Sequence, residues 1–331
     1  MCQKKPLIIL TGPTAVGKTA LSIELAKAVN GEMISADSMQ VYKLLDIGTA
    51  KIKQEEMQGI PHHLIDVLDP TEDFNVFLFQ KMAKAALEEI YAKGKIPIVV
   101  GGTGFYIQAL LYDIAFEETT ESAYRKELEQ YASLHGARAL HEQLKTIDPV
   151  SYDTIHENNV KRVIRALEFY HDTGYPISWH NAQERERSSP YQYAYFVLND
   201  DRQKLYDRIE LRIDQMLEEG LVEEVRQALS YGCTSDMVSM QGLGYKEIIP
   251  YLQGTCSLDE AVYILKRDTR HFAKRQLTWF RETSSGWIRH NYRIPGSSWH
   301  ICSSNCMTDR SYRGYYRCRY RIIYIRREYD V

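Results

Sequence analysis

Residues 7–19, Leu7-Ile8-Ile9-Leu10-Thr11-Gly12-Pro13-Thr14-Ala15-Val16-Gly17-Lys18-Thr19, run from a short apolar stretch into the pattern G-x-x-x-x-G-K-[ST]. The apolar residues read as a buried strand, and the following ALSIELAKAV repeats its apolar positions at helical spacing. The order is therefore strand, glycine loop, helix. Gly12 and Gly17 let backbone amides turn inward, the helix N-terminus adds its dipole, Lys18 adds a point charge, and the Thr19 hydroxyl is placed to reach Mg²⁺. The eight residues Gly12, Pro13, Thr14, Ala15, Val16, Gly17, Lys18 and Thr19 thus form a cradle for phosphate oxygens, diphosphate and triphosphate alike. A glycine turn without a ligand is the plain alternative, and the flanking strand and helix speak against it.

Working outward, a second strand-like stretch at 33–36 ends at Asp37. A helix is predicted over about 76–92, with Gly94 as its stop, then a buried strand over 96–100 that ends in Gly101-Gly102-Thr103-Gly104. Strands alternating with helices give a parallel sheet. From about 117 to 189 the pattern turns to polar helices, and strand character returns at 193–198. The expected fold is α/β, a P-loop-type doubly wound parallel sheet with an inserted all-helical domain. Its core spans 1–116 and 190–286 with long helices near 201–230 and 258–281, the insert spans 117–189, and an Arg/Tyr-rich tail spans 287–331.

Composition narrows the class. A chain of 331 residues with 44% apolar and 26% charged residues can bury a sizeable core, which excludes global disorder. Nothing approaches the roughly 18 consecutive apolar residues of a membrane span, and MCQKKPLIIL carries no signal-peptide pattern, so a cytoplasmic protein is expected. Six cysteines without a CxxC pair indicate neither a disulfide framework nor a zinc site. With no long unpaired apolar stripe, a monomer is the default expectation. The net charge of −3 conceals a tail of +6 from Trp287 onward, leaving −9 for the body, so nucleic-acid binding has to rest on local placement.

A P-loop ATPase or kinase usually carries an acid at the end of a second apolar strand to help hold Mg²⁺. Here that strand ends in glycines, which leaves Asp37 as the carboxylate near the phosphate site, since strand carboxyl ends gather at one edge of such a sheet. Asp37 is open to two readings: a helix N-cap, or a base that takes a proton from a nucleophile attacking a phosphate-bearing substrate.

Eight ordered segments extend the pattern: GPTAVGKT (12–19), DSMQVYK (37–43), DIGTAK (46–51), PHHLID (61–66), GGTGFY (101–106), RALE (165–168), GLGYKE (242–247) and AKRQLTWFR (273–281). With these the chain resembles the tRNA dimethylallyltransferases, also called tRNA isopentenyltransferases, from about residue 6 to 287. The resemblance implies transfer of a dimethylallyl group from dimethylallyl diphosphate to N6 of the adenosine 3′-adjacent to the anticodon, with diphosphate released and Mg²⁺ as cofactor. It makes Asp37, Thr103 and Lys18 catalytic. The glycine loop and Arg208 would bind the diphosphate, and Thr19 the metal.

The partner implied is a tRNA anticodon stem-loop. Its adenosine must leave the stack to be reached. By the same resemblance Asp37, Ser38, Met39, Gln40 and Thr103 surround the base. Arg125 and the run Lys161, Arg162, Val163, Ile164 and Arg165 meet the RNA from the insert, while Met240, Gln241, Lys274 and Arg275 meet it from the core. Lys161 and Arg165 share a helical face, although three-residue basic clusters are often simply solvated. The aromatic Trp279 beside the 267–281 basic stripe reads as core.

The tail changes composition where the resemblance ends: it has nine arginines and no lysine. An altered terminus is preferred over an Arg/Tyr RNA-binding extension, and poor order is expected there. Rival functions are prenyl transfer to free AMP, ADP or ATP, a P-loop kinase, and a non-catalytic RNA-binding protein. The basic insert argues against the first, the missing acid against the second, and intact Lys18, Thr19 and Asp37 against the third.

Overall fold

The structure is a computed structural model that describes residues 4–116 and 123–282 and the backbone of three C-terminal strands. In chain order the elements are β1 (Pro6–Thr11), α1 (Lys18–Val29), β2 (Gly31–Ser35), β3 (His62–His63), α2 (Val76–Ala92), β4 (Ile96–Gly101) and α3 (Gly104–Leu111). The helices α4 (Ala123–Glu142), α5 (Leu144–Ile147), α6 (Pro149–Thr154), α7 (Val160–Thr173) and α8 (Ile177–Glu186) follow. Then come β5 (Gln192–Asn199), α9 (Arg202–Glu219), α10 (Leu221–Tyr231), α11 (Ile249–Leu252), α12 (Leu258–Glu282), β6 (Ile288–Arg293), β7 (Trp299–Asn305) and β8 (Arg321–Arg327).

Five parallel strands in the order β3-β2-β4-β1-β5 form the heart of the sheet, as expected for an α/β fold with a P-loop. Beyond β5 the sheet continues through β8, parallel to β5, and then antiparallel β7 and β6. The rest of the 287–331 tail, and with it the expectation of poor order, lies outside the described residues.

The register explains where chemistry can happen. Thr11 pairs with Gly101, and Ser35 with Val100, so the segments that follow β1, β2 and β4 leave the sheet side by side at one edge. Beneath them Ile23 and Ala26 of α1 pack on Met33 and Ile98, a buried apolar layer that fixes the loop-to-helix turn on the sheet.

Local chemistry sets the helix ends. Asn75 Oδ1 accepts from Leu78 N at 2.9 Å and starts α2, while Asp201 Oδ1 caps Gln203 N at 2.9 Å and starts α9. The single helix expected near 201–230 is two, because Gly220 takes φ 105°, a left-handed conformation that closes α9 and opens α10.

Residues 1–111 and 190–331 form one compact unit and Tyr112–Ser189 a second, which begins ahead of the expected residue 117. The second unit is helical and has its own core of Leu128, Leu140, Leu144, Val163, Ile164, Ala166 and Leu167. Asp148 ties its helices together, accepting from Ser151 N at 3.0 Å and from Ser178 Oγ at 2.6 Å. Among the described residues no helix is long and apolar enough to cross a membrane.

Candidate active site

The cradle takes the backbone shape that its glycines permit. Gly12 has φ 151° and Gly17 φ 94°, and a Cβ at Gly12 would stand 2.6 Å from Leu198 O, so the turn out of β1 excludes any side chain there. Lys18 Nζ folds back over the loop and donates to Gly12 O at 3.0 Å and Pro13 O at 2.8 Å. Desolvation of this ammonium lowers its pKa to about 8; Asp37 opposes the shift and Arg212 adds to it. Three charges therefore meet at the cradle: Lys18, Asp37 and Arg212.

Asp37 follows β2, and both readings of it are partly realised. Its Oδ1 accepts from Met39 N at 2.8 Å and Gln40 N at 3.3 Å, so it caps a turn, but no helix follows. The carboxylate also lines a cavity of about 400 Å³ together with Thr14, Ser38, Met39, Thr103 and Arg212. Asp37 is the one acidic side chain among the described residues that border it.

The two loops facing each other across the strand ends are joined by main chain. Thr103 N donates to Ala36 O at 3.3 Å and Ala36 N to Val100 O at 2.8 Å. A Cβ at Gly101 would lie 2.1 Å from Ala36 O, which is why glycine is required where β4 gives way to the Thr103 turn. The next two glycines make room for α12. A Cβ at Gly102 would meet Gln276 Nε2 at 2.2 Å, and one at Gly104 would meet Trp279 Nε1 at 2.1 Å. Trp279 thus packs on the glycine turn, with its ring edge-on to Phe105 at 6.4 Å.

The remaining walls are apolar with cationic points. Ile209, Ile213 and Met216 of α9 and Leu265 and Phe272 of α12 line the cavity, as do Phe74 and Tyr106, whose rings meet edge-on at 5.7 Å. Gln241 and Arg275 also border it. Burial holds the Arg212 guanidinium below the usual arginine range, with Asp37 opposing. Tyr106, desolvated beside Asp37, has its phenol pushed up beyond the ordinary tyrosine range.

Several residues expected at the site lie elsewhere. Arg208 does not border the cavity; its guanidinium pairs with the buried Asp200 and with Lys204 O at 3.3 Å. Gln40 spends its amide on Thr49 O and Ala50 O, both at 3.3 Å, and so shapes the wall from behind. Met240 is fully buried, whereas Lys274 is exposed. In the helical unit the Val163 and Ile164 side chains belong to the core, leaving Lys161 and Arg162 exposed and Arg165 partly so. Arg125 is clamped in a two-pronged ion pair on the buried Glu168, at 3.1 and 2.8 Å.

Two residues escaped the sequence reading. Arg212 lies three residues after Ile209 and four before Met216, on the face of α9 that turns to the cavity, a spacing visible in YDRIELRIDQM. Gln276 is buried in the same phase as Ala273 and Phe280, a polar residue on the inner side of a basic helix.

The cavity thus brings Thr14 of the cradle together with a single carboxylate, Asp37, among the described residues that border it. Residues 40–283 match the IPP transferase family and residues 5–69 the isopentenyl transferase family. A relative from Lachnoclostridium phytofermentans described as a tRNA dimethylallyltransferase is 62% identical over 286 residues, covering 86% of this chain and 91% of that one. The full-length tRNA isopentenylpyrophosphate transferase of Bacillus halodurans is a structural neighbour with a TM-score of 0.63 and 47% identity, covering 84% of this chain and 87% of that one. A eukaryotic dimethylallyltransferase acting on tRNA has a TM-score of 0.72 and 32% identity over 83% of this chain and 70% of its own. The chain belongs to the IPP transferase family, among the tRNA dimethylallyltransferases.

Proposed function

We propose that this protein transfers the dimethylallyl group of dimethylallyl diphosphate to N6 of the adenosine 3′-adjacent to the anticodon in tRNA, releasing diphosphate, as a cytoplasmic monomer. The observation that carries the reading is the shared cavity: Asp37 and Thr103, from loops stitched by Ala36 O, open onto the same space as Thr14 of the cradle and Arg212.

In the reaction N6 attacks the allylic carbon, a C–N bond forms as the C–O bond to diphosphate breaks, and positive charge grows at nitrogen. Asp37 takes the N6 proton, using the carboxylate oxygen not engaged with Met39 N and Gln40 N. Lys18, Arg212 and the loop amides stabilise the negative charge on the leaving diphosphate, the electrostatic contribution that oxyanion-type sites provide. The hydroxyl of Thr103 holds the adenine edge or the diphosphate beside the reacting atoms.

Mg²⁺ suits the cradle's donor chemistry. Thr19, the second residue of α1, is exposed and offers a hard oxygen, and this ion characteristically combines one or two protein oxygens with substrate phosphates and water. When bound it neutralises charge on the diphosphate. Lys161, Arg162 and Arg165 of the helical unit, with Arg275 and Lys274 of α12, supply the cations for RNA phosphates.

The deciding experiment incubates the protein with labelled dimethylallyl diphosphate and Mg²⁺, offering unmodified tRNA, AMP and ATP in parallel. Label is expected in tRNA alone, at N6 of that adenosine. Label in a free nucleotide alone would establish the adenylate reading, and ATP hydrolysis coupled to any acceptor a kinase.

A further inference from the structure

An amide of the cradle is already engaged by a distant helix. Thr14 N donates to Gln276 Oε1 at 2.8 Å, and Gln276 Nε2 in turn donates to Gly102 O at 3.0 Å. Both partners are backbone groups with a single possible role, one a donor and the other an acceptor, so they fix which way the amide points. The side chain is buried, and a Cβ on Gly102 would collide with its nitrogen, so nothing but glycine leaves it room.

We propose that Gln276 is a positioning residue that sets the register between the diphosphate cradle and the Thr103 turn. The inference rests on the reading that the cradle holds the donor's diphosphate. Thr14 borders the cavity from the loop after β1 and Thr103 from the turn after β4. Gln276 links these two loops through one planar amide whose carbon lies three bonds from its own Cα. Only a side chain that both accepts and donates, at glutamine length, makes the link. Leucine fills the space without either bond, asparagine is one methylene short, and ionised glutamate accepts from Thr14 but cannot donate to Gly102. It also sets a negative charge beside the diphosphate. Protonated glutamic acid restores the pattern, since its carbonyl accepts and its hydroxyl donates.

The experiment measures binding of Mg²⁺-pyrophosphate to the unaltered protein, Gln276→Leu and Gln276→Glu by calorimetry from pH 8 to pH 5.5, with tRNA affinity and thermal melting alongside. At pH 8 Gln276→Leu is expected to bind pyrophosphate about fivefold more weakly, the equivalent of one hydrogen bond, and Gln276→Glu more weakly still. tRNA affinity stays within about twofold. On acidification the affinity of Gln276→Glu relative to the unaltered protein climbs at least several-fold, a change that loss of packing alone does not produce. If Gln276→Leu fails to fold, that pH-dependent ratio decides by itself.

A level ratio across the range, or Gln276→Leu binding as tightly as the unaltered protein, overturns the proposal while leaving the donor site standing. Failure of the unaltered protein to bind pyrophosphate overturns both.

Discussion

The Tyr245 hydroxyl donates to Glu224 Oε1 at 2.6 Å, and this one carboxylate also accepts the N–H groups of Asp46, Ile47 and Gly48 at 2.8, 2.7 and 2.9 Å. Gly48 lies so close to the Tyr245 ring that a Cβ there would come within 2.6 Å of it. The wall of the cavity formed by Gly48, Thr49 and Ala50 is therefore hung on α10. Glu224→Ala should leave four donors without their acceptor and lower stability by about 3 kcal/mol, read from urea denaturation. Tyr245→Phe removes one of the four bonds and should cost about 1 kcal/mol. Equal losses in the two variants would show that the backbone amides find other partners.

Asp37 has two duties that substitution can separate. Asparagine keeps an oxygen for Met39 N and Gln40 N but cannot take a proton. Asp37→Asn should therefore melt close to the unaltered protein yet lose about 10²–10⁴ in single-turnover rate. Its tRNA affinity should stay within a few-fold. Asp37→Ala loses the turn as well and should melt lower. A variant of near-normal rate would remove Asp37 from its role.

Lys18 gives the donor step a pH dependence of known sign. Free, its ammonium titrates at about 8 instead of 10.5. A bound diphosphate favours the charged form and raises that value. Above pH 8, then, binding must take up a proton, and affinity should weaken as the pH climbs from 8 toward 10. Calorimetry at pH 8.5 in buffers of different ionisation heat should register the uptake. Lys18→Arg, which keeps its charge throughout, should show none.

The two arginines of α9 should part company. Arg212→Ala removes a cavity cation and is expected to cost about 10² or more in turnover with donor. Arg208→Ala strands the buried Asp200 and should instead lower stability by about 2–4 kcal/mol, with donor kinetics nearly intact. Denaturation and steady-state assays on the same preparations distinguish the two outcomes.

Gly101→Ala drives a methyl onto Ala36 O, a backbone atom with no freedom to yield. A loss of about 3 kcal/mol is expected by thermal melting, at the upper end of overpacking effects.

The elements that were legible in the sequence had their causes nearby in the chain. The cradle is legible through two glycines, a lysine and a strand, and α2 through a helical segment that Gly94 stops, whereas its Asn75 cap emerges only in the structure. The helix break at Gly220 was missed because periodicity runs on smoothly through one left-handed residue. β3 is two residues long, too short to leave a pattern. Asp37 is legible from its place at a strand end beside the cradle, and Thr103 through motif resemblance. Gln276 is not, because its meaning lies in Thr14 and Gly102, 262 and 174 positions away. Arg208 is named through resemblance alone, and a resemblance says nothing of what already occupies a side chain, here the carboxylate of Asp200.

The contact of Ala36 O with the Thr103 turn carries a lesson for redesign. Because proton acceptor and hydroxyl are tied by peptide groups, exchanging the apolar side chains of the lining leaves the gap between them unchanged. A variant enzyme meant to accept a bulkier allyl donor or a different nucleobase has to be carved from Ile209, Met216, Leu265 and Phe272, where helices supply the surface and methylenes can be traded. The reactive pair behaves as a fixed jaw, and evolvability resides in the lining around it.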